Sequence, residues 1–172
     1  MRFPLAAVHE TIKCAGLATV GPQQQEALMS IAAILANKGS DVATIDSAVP
    51  LSEAVAQLAE RRIGALVVTT DGEVAGIVSE RDLVMCLARQ GASALDRPVS
   101  EAMTAPAVTI ARDTPVLNAL ALMTRRRFRH LPIVEDGALL GLVSIGDLVK
   151  FRIDSIESEA AAMRSYIQGD RR

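Results

Sequence analysis

Gly76-Ile77-Val78-Ser79-Glu80-Arg81-Asp82 and Gly141-Leu142-Val143-Ser144-Ile145-Gly146-Asp147 are two copies of one Gly-x-x-Ser-x-x-Asp pattern. They lie 65 residues apart, and the surrounding chain repeats at the same offset. Between residues 44 and 86, 16 of 43 positions are identical to their counterparts in 109–151, and no gap is needed. Agreement of this extent indicates a duplication, so the chain is predicted to contain two copies of one supersecondary unit.

Each copy is predicted to follow the order strand, helix, strand, strand, helix. The first copy has a strand at 42–45, a helix at 51–62, strands at 65–69 and 74–78, and a helix after Ser79; the second has a strand at 108–110, a helix at 116–127, strands at 131–134 and 139–143, and a helix after Ser144. A proline, Pro50 or Pro115, precedes each first helix, where its missing N–H costs nothing. Asp71-Gly72 and Asp136-Gly137 are hairpin-turn signals between the paired strands.

Further segments flank the two units. Ser30 is a candidate N-cap for a helix over 31–37 that Gly39 ends. We therefore predict an N-terminal extension at 1–29, a first repeat with its leading helix at 30–95, a second repeat at 96–153 and a C-terminal helix at 154–172. Residues 1–28 are either a flexible extension or a segment that precedes a natural start at Met29.

The predicted C-terminal helix carries an apolar stripe whose members recur every three or four residues: Ile153, Ile156, Ala160, Met163 and Ile167. Such a stripe on a charged helix packs on something. A partner subunit and the chain's own domain are equally good candidates.

Composition excludes several classes of function. The chain is 50% hydrophobic and 22% charged, which suits a packed core, and no apolar run is long enough to span a membrane. A net charge of −2, three Phe, one Tyr and no Trp disfavour nucleic-acid binding, which needs basic surface and stacking platforms. Cys14 and Cys86 form no Cys-x-x-Cys pair, as expected of a reduced cytoplasmic protein.

The repeated unit resembles the CBS domain family, named for cystathionine β-synthase, and specifically its tandem pairs. The two Gly-x-x-Ser-x-x-Asp segments carry the resemblance, together with Arg129-His130-Leu131-Pro132-Ile133-Val134, which is similar to the family's second-strand pattern. The resemblance covers roughly residues 30–153. It implies an α/β (α+β) fold of two βαββα repeats packed as a pseudo-two-fold pair, with clefts that bind AMP, ADP, ATP, NAD(H) or S-adenosyl compounds, and commonly a homodimer.

The Ser-x-x-Asp segments have a structural interpretation and a functional one. As a capping box, the serine and the acidic residue stabilise a helix start without any ligand. In the functional interpretation, Ser79 and Ser144 and the helix N-termini hold phosphate, while Asp82 and Asp147 accept hydrogen bonds from a ribose diol. The two interpretations are compatible.

A nucleotide base would need an apolar slot. The predicted walls are Thr44, Ile45, Leu66, Val67 and Ile77 in the first unit, and Thr109, Ile110, Leu131, Pro132 and Val143 in the second. Most of these residues also suit a core, with Thr44 and Thr109 the exceptions.

The two units differ on the predicted phosphate side. Arg81 corresponds to Gly146, Gly64 to Arg129 and Ala65 to His130. Arg81, Arg129 and His130 are candidate phosphate ligands, and Lys38 is another. Arg125 and Arg126 are better explained as a solvated helix end.

The sequence contains no recognisable catalytic set: two histidines give no metal cluster, and nucleophile-elbow and P-loop patterns are absent. A buried, inert thiol is the expected state of Cys86. The predicted function is a non-catalytic, adenine-nucleotide-binding regulatory module. The alternative is an interaction or dimerisation scaffold with vestigial clefts.

Overall fold

The structure, a computed structural model, describes residues 29–169, with side chains up to residue 166. Its helices are α1 (Ile31–Lys38), α2 (Leu51–Arg61), α3 (Glu80–Gln90), α4 (Val116–Arg126) and α5 (Ile145–Gly169); its strands are β1 (Thr44–Asp46), β2 (Ala65–Thr70), β3 (Glu73–Ser79), β4 (His130–Glu135) and β5 (Ala138–Ser144). This mixed α/β order confirms the predicted fold class. The prediction for residues 1–28 lies outside the described residues.

Each unit is built on a small sheet. In the first unit β1 pairs parallel with β2, which pairs antiparallel with β3; in the second unit β4 pairs antiparallel with β5. The hairpin turns are confirmed, because Asp71 and Gly72 both have positive φ (52° and 84°), as do Asp136 and Gly137 (50° and 80°).

The strand predicted at 108–110 is wrong, because only a single parallel bridge joins Ile110 to Ile133. In the first unit the N–H of Val67 donates to the Ala43 carbonyl at 3.1 Å and extends the β1 ladder. The position of Val67 is occupied in the second unit by Pro132, which has no N–H to donate. One proline therefore shortens this strand to a bridge.

Helices α2 and α4 are equivalent, and each buries one face in the core of its unit. Leu51, Ala54 and Leu58 of α2 are buried, but Val55 is 38% exposed. In α4 the buried side chains are those of Val116, Ala119 and Met123, whereas Leu117 is 56% exposed. Leu117 follows buried Val116 by about 100° around the helix, which turns it away from the core.

The segments that lead into each unit pack on the other unit. Ile31 and Ile34 of α1 lie in the second unit's core, and the Ile31 N–H donates to the Thr114 carbonyl at 3.0 Å. Reciprocally, Ala94 and Val99, from the two 3-10 turns at 91–101, lie in the first unit's core.

The packing in space therefore crosses the predicted domain boundaries in two places. Helix α1 does not pack in the first repeat, and the residues just after position 95 do not pack in the second. Backbone pairing holds the crossed segments in place, since Leu51 N–H donates to the Arg97 carbonyl at 2.8 Å and Val116 N–H to the Met29 carbonyl at 2.9 Å. The repeat pattern does not reveal this exchange, because each lead-in precedes one unit in sequence and contacts the other in space.

The glycine of each repeated motif is required by this exchange. Gly76 and Gly141 lie within β3 and β5, inside the strands predicted at 74–78 and 139–143. A Cβ on Gly76 would lie 2.8 Å from the Thr104 carbonyl oxygen, and one on Gly141 would lie 2.5 Å from Leu35 Cδ2. Each glycine thus admits the lead-in segment against its strand.

The predicted separate C-terminal helix is also wrong, because α5 runs from Ile145 to Gly169 without interruption. The side chains of Ile153, Ile156 and Met163 are 49%, 48% and 72% exposed. They do not dock onto the described part of their own chain, and the Ile167 side chain lies outside the described residues.

Candidate functional site

The first cleft lies between the units and combines parts of both. The end of β3 and the start of α3 contribute Ile77, Ser79 and Asp82. The lead-in to the second unit contributes Thr104, Ala107 and Val108. Arg126 to His130 come from the end of α4 and the start of β4; Gly64, Glu80 and Arg81 complete the lining. The cavity is about 260 Å³.

The second cleft is its pseudo-symmetric counterpart. Most of its lining residues match those of the first cleft at or near the 65-residue offset. The full lining is Lys38, Asp41, Val42, Ala43, Arg61, Ile63, Gly64, Ala65, His130, Leu142 and Ser144. Its cavity is larger, about 480 Å³, so size alone does not favour the first cleft as a ligand site.

The Ser-x-x-Asp segments form the predicted capping boxes. Asp82 Oδ2 accepts from the Ser79 N–H at 2.9 Å and from the Ser79 hydroxyl at 2.6 Å, and Ser79 Oγ accepts from the Asp82 N–H at 3.4 Å. Ser144 and Asp147 repeat the arrangement, with corresponding distances of 2.7, 2.8 and 3.2 Å. Both carboxylate bonds of Asp82 use Oδ2, so Oδ1 is the oxygen that an added hydroxyl group could bond.

Asp147 has an additional partner, Lys38. The Lys38 Nζ donates to Asp147 Oδ2 at 2.7 Å and to the Leu142 carbonyl at 3.0 Å. Burial acts to raise the pKa of Asp147, but the hydrogen bonds from Lys38 and Ser144 outweigh it and hold the pKa below its usual value. Lys38 is a candidate phosphate ligand in the sequence. In the structure it contacts Asp147, the residue predicted to bind ribose.

Positive charge is concentrated in the first cleft. Arg81, Arg126, Arg127 and Arg129 all line it, against the two carboxylates of Glu80 and Asp82. Arg126 is exposed in the last turn of α4, as the solvated helix end predicts, and it also lines this cleft. Arg127 follows in a left-handed conformation (φ 58°) and turns the chain towards β4. Arg125 does not line either cleft.

His130 lies between the two clefts and lines both. Burial lowers its pKa, with Lys38 and Arg129 lowering it further against the opposing effects of Asp147 and Glu80. The ring is therefore predominantly neutral at pH 7, and its charge is sensitive to groups in either cleft.

Most of the residues predicted to form the base slots lie in the cores, which agrees with their alternative interpretation. Leu66, Val67, Leu131 and Val143 are completely buried, Ile45 and Ile110 nearly so, and Pro132 is buried, so these residues belong to the cores. Thr44 and Thr109 are exposed but line neither cleft. Of the predicted wall residues, Ile77 alone lines a cleft described here.

The apolar walls come instead from residues just before each Thr-Ile pair and from the strand end. These are Val42, Ala43 and Leu142 in the second cleft, and Ala107, Val108 and Ile77 in the first. Sequence reasoning missed five of them, all but Ile77. Four were missed because each wall was placed in the same unit as its Ser-x-x-Asp segment. The signal was present, since 42–43 and 107–108 are equivalent under the repeat.

The described residues contain no group of His, Cys, Asp and Glu side chains arranged for a metal ion. Cys86 is a buried free thiol, as predicted. Over the described part of the chain, no helix is both long and apolar enough to cross a membrane.

Known proteins share this architecture. The CBS domain family model matches residues 35–89 and 99–154. A mitochondrial CBS domain-containing protein, CBSX3 of Arabidopsis thaliana, is 38% identical over 122 residues, which are 68% of this chain and 59% of that protein. The chain thus spans less than two thirds of the length of this relative.

Solved structures agree. A CBS-domain-containing protein from Agrobacterium tumefaciens superposes with a TM-score of 0.69 at 44% identity, covering 72% of this chain and 92% of the other. Two more distant structures share the fold. They are the CBS pair of protein MJ0100 with 5-methylthioadenosine and S-adenosyl-L-methionine (23% identity, TM-score 0.65, 73% and 97% covered), and CBSX2 with AMP (22%, 0.60, 73% and 96%). Two domain matches, at the two repeats found in the sequence, establish that this chain belongs to the CBS domain family and carries a tandem CBS pair.

Proposed function

We propose that the chain is a non-catalytic regulatory module that binds an adenine nucleotide, AMP, ADP, ATP or NAD(H), in the first cleft. The observation that carries the proposal is the convergence of Asp82 with four arginines in one cavity between the units. Asp82 suits a ribose diol, the arginines and the α3 N-terminus suit phosphates, and Ile77, Ala107 and Val108 suit an apolar base face.

The ligands of the structural neighbours are consistent with this chemistry. MJ0100 binds two adenosine compounds and CBSX2 binds AMP. A ligand in the first cleft of this chain would contact both units, so binding would favour one relative orientation of the units over others. That shift is the proposed regulatory output, with an unidentified protein as its target.

Thermal melting tests the proposal. A ligand that binds only the folded chain should raise the melting temperature by about 5–10 °C at a concentration 100-fold above its Kd. AMP, ATP and NADH at millimolar concentration are the probes, and inorganic tripolyphosphate controls for unspecific anion binding. Asp82→Ala should abolish the shift, whereas the matched Asp147→Ala should retain it. The absence of a shift with every nucleotide would exclude the proposed function.

A second function, self-association, is favoured by the exposed stripe of α5. Val149, Ile153, Ile156, Ala160 and Met163 recur at alternating spacings of four and three residues, as in the a and d positions of a heptad, and all are exposed. Two such helices side by side would bury the stripe, which supports a homodimer.

The flanking charges favour a parallel arrangement in such a pair. With Ile153 at position a, Arg152 and Glu159 occupy g positions while Glu157 and Arg164 occupy e positions. In a parallel pair, each g side chain meets the partner's next e side chain, so both contacts would join opposite charges. An antiparallel pair centred on Glu159 would instead place Glu159 against its own copy.

A further inference from the structure

The acidic groups of the two clefts differ in whether they line the open cavity. Asp82 lines the first cavity, whereas Asp147 is not among the described residues that line the second. The difference arises at Lys38, whose ammonium lies 2.7 Å from Asp147 Oδ2 and 3.0 Å from the Leu142 carbonyl. Lys38 itself lines the second cavity, and the Asp147 side chain that it contacts is 28% exposed.

Among the described residues, Asp82 has no ion pair that corresponds to the one between Lys38 and Asp147. Met103, 65 residues after Lys38, packs against the first unit's core near Gly76, as Leu35 lies near Gly141. Within the described residues, the hydrogen bonds to Asp82 come from Ser79 alone. The two clefts therefore offer a ribose different partners, a capped carboxylate in one and a capped carboxylate with an ammonium in the other.

The ammonium competes directly with a ribose diol. Both would donate hydrogen bonds to the carboxylate of Asp147, and charge-assisted bonds are about twice as strong as neutral ones. The ammonium is also tethered to the fold at the end of α1, immediately before Gly39 ends the helix, so its local concentration is high. A nucleotide in the second cleft would have to displace it, while one in the first cleft meets no such competitor.

We infer that Lys38 is an intramolecular competitor that keeps ribose out of the second cleft, so that each chain binds one nucleotide, in the first cleft. This inference rests on the proposed function, and it names Lys38 as the residue that sets the stoichiometry. It also accounts for the larger cavity being the unused one.

Titration calorimetry with ATP tests the inference. The wild-type chain should bind one ATP, and Lys38→Met, which removes the charge but keeps an unbranched side chain, should bind two. Lys38→Arg keeps the charge and should bind one. Asp147→Ala combined with Lys38→Met should return the stoichiometry to one by removing the opened site, and thermal melting establishes that each variant is folded.

The outcomes separate the two proposals. Two sites in the wild type, or an unchanged single site in Lys38→Met, would overturn the role of Lys38. Loss of a site in Lys38→Met would overturn it too, and would instead make Lys38 a phosphate ligand. ATP binding by Lys38→Met but not by the wild type would support Lys38 as competitor and exclude the first cleft as the nucleotide site. Binding by neither would exclude both proposals.

Discussion

Gly76 shows how one residue position joins the local motif to the whole fold. Its missing side chain leaves room for Thr104, whose N–H and carbonyl pair with Ile77 at 2.8 and 3.1 Å. A Cβ would meet the Thr104 carbonyl oxygen and the Met103 sulfur at 2.8 Å each. Because the Thr104 contact is with backbone, that segment has little room to move away from a Cβ at position 76.

We expect Gly76→Ala to lower the free energy of unfolding by about 1–3 kcal/mol, the usual range for overpacking. Gly146→Ala is the matched control, because its Cβ would lie 3.6 Å from Ser144 Oγ, an ordinary contact, and alanine favours the helix. Urea unfolding measures both. Equal stability of the two variants would show that the close approach at Gly76 does not constrain the strand.

His130 predicts a pH dependence of stability. Burial lowers its pKa in the folded chain, so the unfolded chain binds the proton first as the pH falls below the ordinary value of about 6.5. The contribution of the neutral ring to stability is therefore full above that pH and is lost as the pH drops through the lowered pKa.

Urea unfolding at pH 7.5 and 5.5 should show a larger loss of stability on acidification for the wild type than for His130→Gln. The other titrating groups are common to both proteins, so their contributions to the pH dependence cancel in the comparison. Equal losses in the two proteins would contradict the burial of a neutral ring at the junction of the clefts.

At the residue scale, the sequence predicted local roles such as helix capping, but it did not predict which distant residues contact each other. The capping roles of Ser79 and Asp82 were predictable because a capping box is local. The contact between Lys38 and Asp147 joins residues 109 positions apart, and it depends on α1 packing on the second unit. Residue pattern alone carries no information about that crossing.

At the scale of elements, α5 is longer than the equivalent helix of the first unit. It has 25 residues, whereas the equivalent helix α3 has 11. The added turns carry the exposed stripe and the alternating charges. The periodicity was visible in the sequence, but its exposure was not, because a stripe of this kind also suits docking on the same chain.

Ala160→Asp and Ala161→Asp are a matched pair of variants for this helix. Residue 160 lies in the stripe and residue 161 beside it, and both are exposed. We expect Ala160→Asp to weaken a dimer more than roughly tenfold, because an unpaired buried carboxylate costs more than about 1.4 kcal/mol. Ala161→Asp should leave the dimer intact in sedimentation velocity.

A charge exchange tests the parallel arrangement. Glu159→Arg alone should weaken the dimer, and adding Arg164→Glu should restore it. A monomeric wild type, or equal effects of the two alanine variants, would exclude self-association through α5.

At the scale of the whole molecule, the crossed lead-in segments make the two units interdependent. Ile31 precedes the first unit and is completely buried in the core of the second. Sequence similarity predicted two equivalent units correctly, but it did not predict that each unit's core is completed by a segment from the other side of the repeat boundary.

We expect Ile31→Ala to cost about 2–5 kcal/mol, as for other large-to-small core changes, while unfolding stays a single transition. Asn37→Ala, at an exposed position of the same helix, is the control. Far-ultraviolet circular dichroism and hydrogen exchange of β2 and β4 should report one common loss of stability. Selective loss of protection in β4 would show that the units unfold independently.

The central claim is that an adenine nucleotide binds between the units, with its ribose on Asp82. The most direct measurement is a crystal structure of the full chain grown with ATP. We predict density in the first cleft, with ribose hydroxyls about 3 Å from Asp82 and phosphates against the arginines, while Lys38 stays on Asp147. Nucleotide on Asp147 alone, or both clefts empty at saturating ATP, would contradict the account.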